Sequence, residues 1–161
     1  MTLKVPVPPP VFEPEFIEGL KSIFEDKIVF NQTLGLKIST VGPERVVGHI
    51  RMRHELVGHY AYNRVHGGVI SACLDTMGAL AVMAGLAARH MDELPAERLK
   101  RFARLGTIDL RVDYLRPGIG EVFELRAEAL RVGSRVGTAR MEFWGPEGVL
   151  MSTGAGAYIV S

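Results

Sequence analysis

A chain of 161 residues that is 47% apolar is long and apolar enough to bury one real core, which excludes a globally disordered protein. The formal net charge of +1 argues against a nucleic-acid binder with a broad basic face. A single cysteine, Cys73, leaves no intramolecular disulfide and favours a reducing compartment.

The residues before Phe16 carry Pro6, Pro8, Pro9 and Pro10 and read as an extended arm. No apolar signal core stands there, so a cytoplasmic location is expected. Phe16, Leu20, Ile23, Phe24 and Ile28 recur at helical spacing and predict a helix over 16–30, broken at 31–34. A strand pair follows, 35–41 and 46–52, turning at Gly42-Pro43-Glu44. Residues 54–65 show neither period and read as a loop. From His66 to about His90 the chain is apolar on nearly every side, as a helix wrapped by a sheet must be. Its length invites reading it as a membrane span, but Asp75 lies inside it and strands flank it, so a core helix without membrane insertion is expected. Residues 92–104 read as a polar helical extension or lid.

Four strand-like runs complete the chain. Ile108, Leu110, Val112 and Tyr114 alternate with charged residues; so do Phe123, Leu125, Ala127 and Ala129, and then Ala139, Met141 and Phe143. Residues 149–160 form the last run. Alternation of this kind predicts antiparallel strands with one buried face. The expected architecture is therefore α+β: a curved antiparallel sheet of five to six strands around one long helix, forming a single domain over 1–161 with an arm and helix at 1–30.

Asp75 is the main chemical anomaly. It is the only acidic residue between His66 and Arg89, and no basic residue lies between them. Burying an unpartnered carboxylate costs about 3 kcal/mol or more. One reading is a general base or nucleophile in a dry pocket. The other is an aspartate capped by Ser71 or Thr76, or exposed at a dimer seam. His66-Gly67-Gly68 opens the same helix, where bare backbone N–H groups at the positive end of the dipole can polarise a carbonyl; a plain helix start packed through glycine is the alternative. Gly67 and Asp75 are eight residues apart, about 12 Å along a helix, too far to meet at one reacting carbon. Two copies of the helix side by side and antiparallel would bring Gly67 of one to Asp75 of the other, so the expected site is intersubunit and requires a homodimer.

Thr107 can hold Asp75 or an attacking water, or simply open a strand. His59 and Asn63 can orient a substrate or a water, or serve as loop polar residues. Arg111 and Arg116 can bind the phosphates of a ligand or be solvated strand residues. Cys73 has no paired base and reads as packing. The histidines show no metal-ligand spacing, and no nucleotide-binding glycine motif or Gly-x-Ser-x-Gly occurs, so neither metal nor cofactor is expected.

The run His66-Gly67-Gly68-Val69-Ile70-Ser71-Ala72-Cys73-Leu74-Asp75 resembles the helix signature of PaaI-type hotdog thioesterases, and 106–118, GTIDLRVDYLRPG, looks very like YigI-type members of that family. The resemblance covers about residue 30 to the C-terminus. It implies a hotdog fold, a tight homodimer often paired again into a homotetramer, and hydrolysis of medium- to long-chain acyl-CoA. It also implies Asp75 as base or nucleophile, Gly67 N–H on the thioester carbonyl, His66 shaping that turn, Gly68 beside it on the substrate, and Thr107 near the acid. Relatives usually carry an asparagine six or seven residues before His66; here those positions are Tyr60 and His59. A non-catalytic acyl-CoA binding or sensing module is the rival reading, and a hotdog dehydratase a more distant one.

Overall fold

Residues 8–161 are described by the structure, a computed structural model; the expected arm thus lies partly outside the described residues. Its inner end anchors the fold, for Phe12 is buried against Phe16. Pro14 starts helix α1 (Pro14–Lys21) at a position where its missing N–H costs nothing. The helix expected over 16–30 is divided. A π-helical turn (Ser22–Lys27) follows α1, Ile28 is extended, and α2 (Val29–Leu34) begins after it. Asn31 supports this break. Buried, it donates from Nδ2 to the Phe24 carbonyl (2.8 Å), which the interrupted ladder leaves free. Gly35 ends α2 in a left-handed conformation (φ 69°).

Strands β1 (Lys37–Val41) and β2 (Val46–Arg51) pair as expected. The stretch expected as a loop contains a 3-10 turn (His54–Leu56) and a small ladder of β3 (Val57–His59) with β4 (Arg64–Val65). Helix α3 (Gly67–Ala87) follows, then α4 (Pro95–Lys100), a 3-10 turn (Arg101–Arg104), and strands β5 (Gly106–Tyr114), β6 (Val122–Val132), β7 (Val136–Trp144) and β8 (Leu150–Ile159).

The main sheet has six strands in the order β1-β2-β6-β7-β8-β5, antiparallel throughout. Its inner face carries the residues that the alternation assigned there: Phe123, Leu125 and Ala127 on β6, and Ala139, Met141 and Phe143 on β7. The outer face carries charges paired across strands, such as Arg140 with Glu128 (2.6 Å). Against the inner face lies α3, burying Ile70, Leu74, Met77, Leu80 and Met83. This is the hotdog arrangement. α3 is long and apolar enough to cross a membrane, but most of it is covered by the sheet.

Two expectations change here. Of the two readings of 92–104, the helical extension is found and the lid is not: the segment is a buttress. Leu99 seats against Gly19 of α1, and Arg98, wholly buried, lies over the Phe16 ring (4.6 Å) and pairs with Glu13. Strand β5 also departs from strict alternation. Its register against β8 slips between Thr107 and Asp109, so Ile108 is a bulge and stands 56% exposed. The extra residue turns Thr107, paired opposite Tyr158, to the helix face.

Candidate active site

The first turn of α3 distributes its N–H groups specifically. His66 is the N-cap, and its Nδ1 accepts from the Gly68 N–H (2.8 Å). A neutral His66 therefore carries its proton on Nε2. The Val69 and Ile70 N–H groups go to the His66 carbonyl (3.0 and 3.2 Å). Among the described residues, the Gly67 N–H has no acceptor. The Tyr114 hydroxyl donates to the Gly67 carbonyl (2.8 Å), tying β5 to this turn. A cavity of about 500 Å³ opens here, bordered by His59, Arg64, His66, Gly67, Tyr114 and Arg116. Its polar side chains are two arginines, two histidines and a tyrosine, and no carboxylate lines it.

Asp75 occupies a second cluster two turns along α3. It is half-buried rather than sealed in the interior. Thr107 Oγ1 donates to Asp75 Oδ1 (2.9 Å), and the Tyr158 hydroxyl donates to the Asp75 main-chain oxygen (3.1 Å). Burial, then the charge of Asp75 and hydrogen bonding to it, push the Tyr158 phenol far above its ordinary range, so it stays a neutral donor. The local caps considered for Asp75 do not form: Ser71 Oγ donates to the Gly68 carbonyl (3.0 Å), and Thr76 Oγ1 to Asn31 Oδ1 (3.0 Å).

The remaining sequence candidates separate. His59 borders the Gly67 cavity, its ring against those of Tyr60 and Tyr62. Arg116 borders it too, while donating to the Leu150 carbonyl (2.9 Å). Gly68 has its N–H taken by His66. Asn63 lies elsewhere, at the β3–β4 turn with φ 45°, in a hollow with Arg53 and Glu121. Arg111 is exposed on β5 and paired with Asp113 (3.1 Å). Cys73 is buried with its thiol pushed up to about 12 by desolvation, which leaves it protonated and unreactive. Among the described residues, no three His, Cys, Asp or Glu side chains form a group able to hold a metal ion. Sequence reasoning missed Arg64, Tyr114 and Tyr158. Only Arg64, two residues before His66, offered a signal.

The two clusters have complementary chemistry. One presents a free backbone donor in a basic cavity, the other an acid with its own hydroxyl support, and the same helix holds them apart.

The family model of the thioesterase superfamily matches residues 62–152. The medium/long-chain acyl-CoA thioesterase YigI of Escherichia coli (strain K12) is 36% identical over 131 residues, covering 81% of this chain and 84% of YigI. YigI of Salmonella typhimurium (strain LT2) is 35% identical over 133 residues, with the same shares covered. A Shewanella oneidensis protein related to the thioesterase superfamily, known from its crystal structure, superposes with a TM-score of 0.85 at 37% identity, over 93% of this chain and 100% of its own. With the matched region spanning α3 and strands β5 to β7, the chain belongs to the thioesterase superfamily, among its YigI-type members.

Proposed function

We propose that this thioester hydrolase cleaves medium- to long-chain acyl-CoA at sites shared between two copies of the chain. The observation that carries the reading is the division of labour along α3: the Gly67 N–H lies in a cavity without an acid, and Asp75 with Thr107 lies outside that cavity. Two α3 helices packed antiparallel about a two-fold axis unite one protomer's Asp75 with the partner's Gly67. Strand β5, at the edge of the sheet, is free to pair with its own copy.

In such a site the thioester oxygen accepts from the Gly67 N–H, reinforced by the helix dipole. Asp75 removes a proton from water as the water oxygen bonds to the carbonyl carbon. The carbonyl electrons move to the oxygen and then return, breaking the C–S bond. The coenzyme A thiolate takes the proton back from Asp75, and the fatty acid leaves. In the alternative, an Asp75 oxygen bonds to the carbonyl carbon as the C–S bond breaks and the thiolate leaves; water then hydrolyses the mixed anhydride, which releases the fatty acid, restores Asp75 and supplies the thiolate's proton. Thr107 fixes the Asp75 oxygen in either case. His66 shapes the donor turn and His59 borders it. Arg116 and Arg64 stand where phosphates of coenzyme A can meet cations. Gly68, Asn63 and Arg111 fit substrate contact less well, being already hydrogen-bonded, set apart, or ion-paired. The chain-length preference follows the YigI relatives, whose name specifies medium and long chains.

The test is thiol release from acyl-CoA substrates of graded length. The wild type is expected to favour medium and long chains over acetyl-CoA, and Asp75→Ala to lose about three orders of magnitude or more in kcat. Equal rates for the two proteins would remove Asp75 from the reaction.

A further inference from the structure

Tyr158 is buried where a phenylalanine would fill nearly the same volume. Its hydroxyl nevertheless has space cleared for it from two sides. A Cβ on Gly78 of α3 would stand 2.1 Å from the Tyr158 oxygen, and a Cβ on Gly156 of β8 2.8 Å from it. Glycines on two different elements thus make room for the end of the phenol, and in both cases its oxygen is the nearest atom. That oxygen donates to the main-chain carbonyl of Asp75 (3.1 Å), 83 residues away in sequence. A carbonyl inside a helix already accepts the N–H four residues on, so the phenol does not rescue a starved acceptor. What it does is fasten one turn of α3 to β8.

The fastened turn is the one that carries the acid. Tyr158 and Thr107 are direct cross-strand partners, so their side chains leave β8 and β5 on the same face of the sheet. Thr107 bonds the carboxylate and Tyr158 bonds the backbone of the same residue. We propose that Tyr158 is a positioning residue for thioester hydrolysis: its hydroxyl holds the Asp75 turn at the depth from which the carboxylate meets Thr107 and the reacting water. The proposal rests on Asp75 being the reacting acid. It assigns Tyr158 no contact with substrate; its effect passes through Asp75.

Three variants test it by thiol release with kcat and KM resolved: Tyr158→Phe, Thr107→Ala and their combination, with Asp75→Asn as a separate arm. Tyr158→Phe is expected to lower kcat about tenfold, the size of one hydrogen bond expressed as a rate, with KM and subunit assembly unchanged. Because both hydroxyls fix the position of one residue, Thr107 through the Asp75 carboxylate and Tyr158 through its backbone, the combined variant should lose less than the product of the single losses. A wild-type kcat for Tyr158→Phe, a change in KM alone, or strict multiplication with Thr107→Ala would overturn the proposal while Asp75→Asn remains inactive. Retained activity in Asp75→Asn would instead sink the reading of Asp75 itself, and Tyr158's role with it. Should Tyr158→Phe not fold, Gly156→Ala, which crowds the same hydroxyl off its acceptor, carries the same expectation, and a wild-type kcat there overturns the proposal.

Discussion

The first turn of α3 and the turn at Asp75 lie on one helix and are built for opposite tasks. At the first turn, three of the four leading N–H groups are satisfied within the turn and the fourth, on Gly67, has no acceptor among the described residues, at a residue that borders a cavity. At the second, hydroxyls from β5 and β8 converge on one acidic residue. Each turn is also moored to the sheet by a tyrosine, Tyr114 on the Gly67 carbonyl and Tyr158 on the Asp75 carbonyl. One turn offers only donors and the other a proton acceptor. The contrast teaches that one rigid helix can carry a free backbone donor and an acid and still hold the two too far apart to meet within a single copy.

The largest effect comes from breaking that contrast across two protomers. Gly67→Pro removes one N–H and little else. The position is N1, where proline is tolerated, and His66 is already extended (φ −67°, ψ 138°), as a residue before proline prefers. A Cβ at Gly67 would lie 3.4 Å from the Tyr114 ring, an ordinary contact. Gly67→Pro is expected to fold and to lose about 10²–10³ in kcat, the range for one oxyanion donor. Mixed with Asp75→Asn subunits, it should regain activity, because one of the two sites in each hybrid dimer is intact. Co-expression with distinct affinity tags, followed by an assay of the purified hybrid, reads this directly. A hybrid as inactive as its parents would place the whole site within one chain.

A smaller effect is expected within the second turn alone. Thr107→Ala removes the donor to Asp75 Oδ1 and should reduce kcat about tenfold, while Thr107→Ser, which keeps the hydroxyl, should stay near wild type. If both variants matched wild type, Thr107 would be only a strand opener.

Much of this contrast was legible in the sequence and some was not, for identifiable reasons. The apolar α3 with its lone acid, and the alternating faces of β6 and β7, are local patterns that the fold obeys. The eight-residue separation of Gly67 from Asp75 alone argued for two chains. Thr107 stood out by residue type and by the family resemblance but not by pattern, because strict alternation from Leu110 and Val112 would turn it outward, and the bulge at Ile108 that reverses it has no local signature. Tyr158 and Tyr114 find their acceptors 83 and 47 residues away, so nothing near them marks their hydroxyls as used. The break at Ile28 was hidden in the same way: the helical spacing runs through it, while the Asn31 amide that supports it is itself held by Thr76, 45 residues on.

The smallest effect should spare both turns and touch only the helical layer outside them. Arg98 is wholly buried, and its guanidinium pairs with Glu13, which joins α4 to the start of α1. The hydrogen bond from Arg98, reinforced by a backbone bond, holds the Glu13 carboxyl below its ordinary value of 4.5. Glu93 is likewise lowered by its hydrogen bond from Arg101. A carboxyl with a lower pKa folded than unfolded contributes its stability above the unfolded value, and that contribution disappears as pH falls through the folded one. The melting temperature of the wild type should therefore decline below about pH 4.5, where unfolded carboxylates begin to protonate. Glu13→Gln should melt lower than wild type at pH 7, and the gap should close as the solution is acidified, leaving the Glu93 contribution in both. At pH 7 and a temperature where both proteins are folded, kcat should be the same for the two, since Glu13 touches neither turn of the site. A gap that widened in acid would show that the neutral rather than the ionised Glu13 carboxyl holds the fold, and a fall in kcat would mean that the helical layer reaches the chemistry through α3.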